Sequence, residues 1–274
     1  MSNSNFSVEV PFGVTRVLTA FLFLSAQSLS AAHSNPLDES RQCLVVIVSD
    51  WKSYVGELHA FERSEGEAEW RSHGNAVPVV LGFNGLAWGR GFMKSLRMVG
   101  GRKREGDNKT PAGVFRLGAA FGYAPEDEAR WIKMPYIGLT HATEGVDDPR
   151  SKYYNRIVDR TKIDNPDWTS YERLMRDDDV YRWGVVIEHN SDPVVAGAGS
   201  CIYLHVWRAS THPTSGCIAM AQSKLISLLE WLDPEKKPFL VAAPERIYST
   251  RFPRAWNLPE LEPTPDPATS GRGR

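Results

Sequence analysis

The chain has 274 residues, 32 Lys+Arg against 33 Asp+Glu, and a formal net charge of −1. With 42% apolar and 24% charged residues it has the composition of an ordinary globular protein. The balanced charge lacks the basic footprint of a nucleic-acid binder and the attraction expected toward an anionic membrane surface. Three cysteines are too few for a disulfide scaffold, and their odd number leaves at least one thiol free.

In chain order, Arg16 precedes the apolar run 17–24 (VLTAFLFL) and the small, polar SAQSLSAA. This is the pattern of a secretory signal over residues 1–32, cut after Ala32, with Glu9 offsetting part of its charge. The run is too short for a bilayer span, so the expectation is export to the periplasm and cell wall with no stable membrane span after cleavage. Residues 33–43 read as a linker. Residues 44–243 read as one domain, and 244–274 as a Pro-rich C-terminal extension, disordered from about 258.

Within the domain, β-branched runs bounded by Gly, Pro, Asn or Asp predict strands at 44–48, 77–81, 183–187, 201–206 and 239–242. Leu225, Leu228, Leu229 and Leu232 recur at helical spacing after Met220 and stop before Pro234, which predicts a helix there. A second, weaker helix is expected over 170–176. The fold class is mainly β with added helices.

Two glycine-rich segments are set aside. In 101–110 (GRKREGDNKT), Asp107 and Asn108 separate Gly106 from Lys109, so a P-loop nest cannot form. Gly197-Ala198-Gly199 lacks the third glycine and helix of a dinucleotide fingerprint and reads as a turn. Cys201, His205, His212 and Cys217 fall within 17 residues. With Cys201 and His205 four apart on one strand, about 13 Å along it, they do not suit a single tetrahedral ion, so neither metal nor cofactor is expected.

The segment 202–220 (IYLHVWRASTHPTSGCIAM) carries the chemistry. His205 lies inside an apolar strand, and Cys217 follows 12 residues later, after Ser215 and Gly216, at an expected loop-to-helix transition. A helix N-terminus stabilises thiolate. Glycine permits the close backbone approach of an oxyanion hole at Gly216 and Cys217. Imidazole titrates near pH ~6.5 and suits a base that becomes an acid. On the residues alone, a buried structural Cys and a satisfied core His fit equally well.

The segment resembles the active-site motif of the YkuD-type L,D-transpeptidases, in which a strand His precedes Ser/Thr-x-Gly-Cys-apolar; Thr214 to Ile218 match it. Further matches are Glu105 to Gly113 (EGDNKTPAG), 151–155 (SKYYN), Gly197 to Ser200 and Trp231 to Pro234, so the likeness runs roughly from Leu44 to Ala243. The resemblance implies a YkuD-like β-sandwich or barrel-like catalytic domain that acts on peptidoglycan stem peptides. Cys217 would be the nucleophile, His205 the base and acid, and the Gly216 amide an oxyanion donor. Thr214, Ser215 or a carbonyl near Val206 would orient His205. Lys109, Arg208 and His212 are candidate substrate contacts. The sequence departs from the pattern in a shorter His-to-Cys spacing and in Ala219, where the best-known members carry Arg; Arg208 is a candidate substitute. Within the same likeness, an L,D-carboxypeptidase, a crosslink hydrolase and a catalytically silent wall-binding module stay open. Cys201 and Cys217 are expected not to pair, and Cys43 looks incidental.

Overall fold

The computed structural model describes residues 35, 37–92 and 101–261, all within one unit, Asn35–Arg274. The expected signal segment 1–32 and the end of the Pro-rich tail lie outside the described residues.

The chain opens on β1 (Gln42–Val48), which turns into β2 (Val55–Glu62), β3 (Arg71–Ser72), β4 (Val77–Val80) and β5 (Leu86–Trp88). The long β6 (Thr110–Gly122) and short β7 (Tyr136–Gly138) follow. Then come β8 (Thr143–Val146), β9 (Arg156–Asp159) and β10 (Tyr171–Arg173), which pair only with one another in the order β10-β8-β9. The chain returns to the main sheet through β11 (Trp183–Ile187), β12 (Tyr203–Val206) and β13 (Ile218–Met220). It finishes with α1 (Gln222–Trp231), β14 (Phe239–Pro244) and α2 (Glu245–Trp256).

The main sheet runs β1-β14-β6-β11-β12-β13-β4-β2-β3, and β1 also pairs β2, so it closes into a barrel-like ring. Closure removes the free edges that an open sheet of this apolar content would expose. The expected mainly-β class, with a barrel-like sheet and two described α-helices, is what the structure shows. Leu44, Val46, Val114, Leu204, Ile218, Leu240 and Val241 are at or near zero exposure and fill the core. α1 buries Leu225, Leu228 and Leu229 as its spacing predicted.

The structure corrects several local expectations. The segment expected as a helix over 170–176 forms β10, because Tyr171, Glu172 and Arg173 pair with Val146, Gly145 and Glu144. That ladder spans some 25 residues of chain, and its tertiary pairing overrides a weak local preference. Cys201 is not on the strand expected over 201–206. It precedes β12 in a left-handed conformation, φ +53°. The stretch read as a linker is tied down from Leu37: Arg63 donates to the carbonyls of Leu37, Asp38 and Ser40. At the C-terminus α2 buries Tyr248 and Phe252, and the Tyr248 hydroxyl donates to Pro259 O at 2.6 Å.

Candidate active site

Cys217 does not open a helix. It leads into β13, and α1 starts only at Gln222. The reason is sheet pairing: Leu204 stands opposite Ile218 and His205 opposite Ala219 in parallel register. One step back along that register Cys217 faces Tyr203, on the sheet face that His205 also occupies by alternation. The helix-dipole stabilisation expected for the thiolate is therefore absent at Cys217.

The turn before the cysteine is pinned from both sides. The Thr214 hydroxyl accepts the Gly216 N–H at 3.1 Å and donates to Cys217 O at 2.6 Å. The Thr110 hydroxyl donates to the same carbonyl at 3.3 Å while accepting the Gly82 N–H at 2.8 Å. Gly216 has φ +153°, and a Cβ there would sit 3.1 Å from Lys109 O, so the turn requires glycine. The Gly216 N–H proposed for an oxyanion is thus held by Thr214 in the free protein.

The Cys217 thiol is buried; it donates to Cys201 O at 3.4 Å and accepts the Tyr203 N–H at the same distance. Burial pushes its pKa well above the usual thiol range, and the Glu172 charge pushes the same way; the Tyr203 N–H and Lys103 oppose them without prevailing. Burial lowers the pKa of His205 to about 4, against the raising effects of the Val206 and Val180 carbonyls and Asp178. At neutral pH the resting pair is a neutral thiol and a neutral imidazole. His205 Nδ1 lies 2.8 Å from Val206 O. A carbonyl can only accept, so Nδ1 carries the proton and Nε2 is left with the lone pair. Of the groups expected to orient His205, the Val206 carbonyl is the one in place. The Tyr181 ring meets the imidazole edge-on at 5.0 Å between centroids.

The other sequence segments bond to one another beside the site, and Lys103, Glu105, Ser200 and Cys201 line the same cavity. Glu105 accepts from the Tyr154 hydroxyl and from Ser200 Oγ. The Tyr154 hydroxyl accepts the Gly199 N–H at 3.1 Å, and Asn155 Oδ1 accepts the Cys201 N–H at 2.9 Å. Asp107 takes the buried Lys103 ammonium at 2.6 Å and the Lys109 N–H at 2.9 Å. Together these bonds seat Cys201, whose carbonyl receives the Cys217 thiol. All three cysteines are free thiols.

Cys217, His205, Thr214, Ser215, Gly216 and Ala219 line one cavity of about 1160 Å³, large enough for a peptide ligand. Arg208 and His212 line it too. Arg208 is an exposed residue whose guanidinium is engaged by Asp178 at 2.6 Å, and Asp178 also holds Arg176. Lys109 is not among the lining residues, and its ammonium donates to Asn84 O at 2.7 Å. Asp147, Glu172, Arg176 and Tyr181, which the sequence reading missed, line the same cavity, as does Lys103. They come from the small sheet and its exit, so no short spacing in the sequence announces them.

The family model of the L,D-transpeptidase catalytic domain, YkuD, matches residues 77–241, more than half of the chain and all of the residues just placed around Cys217. The chain belongs to the YkuD family. Among solved structures it is similar to the helical cell shape determining protein Pgp2 from Campylobacter jejuni, at 15% identity and a TM-score of 0.35. That match covers 75% of this chain and 48% of the other, so the chain spans about half the length of that protein. No curated protein matches it. The matched range includes the EGD, SKYYN and GAGS segments noted in the sequence. Their residues bond to one another and to Cys201 and so support the turn that carries Cys217. Among the described residues no group of three or more His, Cys, Asp or Glu is placed to hold a metal, and no helix is long and apolar enough to cross a membrane.

Proposed function

We propose that the chain is an exported, cysteine-dependent L,D-transpeptidase that acts on peptidoglycan stem peptides through a thioester on Cys217. The observation that carries this reading is that a buried thiol and a tautomer-fixed imidazole lie on one face of the sheet and line the same peptide-sized cavity. The donor carbonyl would follow an L-centre of the stem's diamino acid. As the Cys217 sulfur attacks it, His205 Nε2 takes the thiol proton, so charge separates only as the S–C bond forms. The tetrahedral oxyanion is received by the Gly216 N–H once it leaves Thr214, with the Cys217 N–H beside it. Collapse breaks the C–N bond, and His205 returns its proton to the departing D-amino acid. The thioester then passes to an amine, forming a crosslink, or to water.

Incubation of the protein with tetrapeptide muropeptides, with products read by mass, tests this. Crosslinked dimers are the expected product, and Cys217→Ser is expected to lower their rate by at least about 10³-fold. Tripeptides alone would make the protein a hydrolase using the same thioester. Unchanged muropeptides would favour a wall-binding module, for which Ala219 in place of Arg is the best argument.

A further inference from the structure

The small sheet gives the cavity a wall that the proposed chemistry leaves unused. In the β8–β10 ladder Glu172 stands opposite Gly145, and Asp147 lies two residues beyond Gly145. By strand pairing Glu172 and Gly145 share one face, and Asp147, just past the end of β8, lines the same cavity as Glu172. That face is turned toward the catalytic strand: a Cβ on Gly145 would lie 2.8 Å from the Tyr203 hydroxyl and 3.2 Å from Cys201 Sγ. Glycine at this position brings two carboxylates up to the neighbours of the nucleophile.

Several polar groups here are left unmatched. Asp147 Oδ1 is buried without a hydrogen-bond partner among the described residues. Tyr203, 2% exposed, aims its hydroxyl at the same face and has no nitrogen or oxygen partner there; its polar neighbour is the Cys201 thiol. Glu172 accepts the Tyr181 hydroxyl at 2.5 Å through Oε1, which leaves Oε2 without a hydrogen bond among the described residues. Burial raises the Glu172 pKa, and Asp147 and Asp178 add to that against Tyr181 and Arg176. The cation closest in kind, Arg176, is already forked onto Asp178. Two ionised carboxylates on one half-buried face are unfavourable unless one takes a proton or a cation joins them.

We propose that Glu172 and Asp147 form an ammonium-binding subsite of this cavity, which takes the free primary amine on the side chain of the substrate's diamino acid. The inference rests on reading the cavity as a stem-peptide site. A primary ammonium offers three donors in a compact charge, matching the open acceptors of the two carboxylates. An amide at the same position carries no charge, so stems whose side-chain amine is already acylated bind weakly. The subsite thereby selects uncrosslinked stems.

The test is calorimetric titration of the full chain carrying Cys217→Ser, which cannot turn over. The ligands are a stem tetrapeptide with a free side-chain amine and its twin acetylated at that amine. The same titrations are repeated with Asp147→Asn and with Glu172→Gln added singly. Acetylation is expected to weaken binding at least about 10-fold in the parent, about the worth of one charge-assisted hydrogen bond, and less than about 2-fold in either variant. Asp147→Asn breaks no hydrogen bond among the described residues, so it decides the matter even if Glu172→Gln fails to fold. No acetylation penalty in the parent, or an equal one in parent and variant, overturns the subsite and leaves the stem-peptide reading intact. Binding of neither peptide to the parent overturns both.

Discussion

At the scale of single residues the decisive quantity is the protonation of His205. Its pKa is lowered to about 4 by burial, and that of His189 to about the same value for the same first cause. If His205 works as a neutral base, kcat/KM should stay flat between pH 5 and 7 and fall only toward pH 4; a fall centred near pH 6.5 would contradict the buried, neutral imidazole. Stability follows with a definite sign. Below about pH 6.5 the unfolded chain protonates both histidines while the folded chain does not, so stability is lost as pH drops toward 4 and is unaffected above 6.5. The two together are expected to remove a few kcal/mol across that window, measurable as a lower urea midpoint at pH 4.5 than at pH 7. Thr214 is the other residue with a sharp consequence. Thr214→Val leaves both the Gly216 N–H and Cys217 O without their hydroxyl partner. It should cost about 1–3 kcal/mol in thermal unfolding and lower activity together with it. Cys217 and His205 stood out in the sequence because Cys and His are residue types suited to a nucleophile and a base. Their environment was not: the expected helix N-terminus is a strand, and the expected thiolate is a buried thiol.

At the scale of elements the small sheet is what the sequence least revealed. β10 was read as a helix, and its pairing with β8 depends on partners some 25 residues away, beyond any local pattern. The same distance hid Asp147 and Glu172. By contrast the EGD, SKYYN and GAGS segments were recognisable singly, although nothing in their spacing said that Glu105, Tyr154 and Asn155 would join to seat Cys201. Gly145 tests how tightly the small sheet must approach β12. Gly145→Ala places a methyl 2.8 Å from the Tyr203 hydroxyl. It is expected to destabilise the protein by about 1–3 kcal/mol and to reduce activity more than stability alone explains. Wild-type unfolding and turnover in that variant would show that the sheet does not pack as described.

At the scale of the whole molecule, the strands at 44–48, 77–81, 183–187 and 239–242 were found within a residue or two, since each is a short apolar run with clear breakers. Ring closure through β1–β2 was not legible, because register between sequence-distant strands leaves no short-range mark. The role of the C-terminal extension was also hidden. α2 reads as a polar segment, yet Phe252 has no exposed surface and Tyr248 is 1% exposed. Phe252→Ala should cost about 3–5 kcal/mol in thermal or denaturant unfolding, the range for emptying a buried aromatic site. A cost under about 1 kcal/mol would mean that α2 is dispensable to the barrel.

Whether Cys217 carries the acyl group is tested most directly by intact-mass measurement of the protein quenched during turnover of a stem tetrapeptide. The expected result is an adduct equal to the donor peptide less its terminal D-amino acid, mapped to the peptide containing Cys217 and missing in Cys217→Ser. Turnover that persists in Cys217→Ser, or an adduct mapped to Cys43 or Cys201, would contradict it.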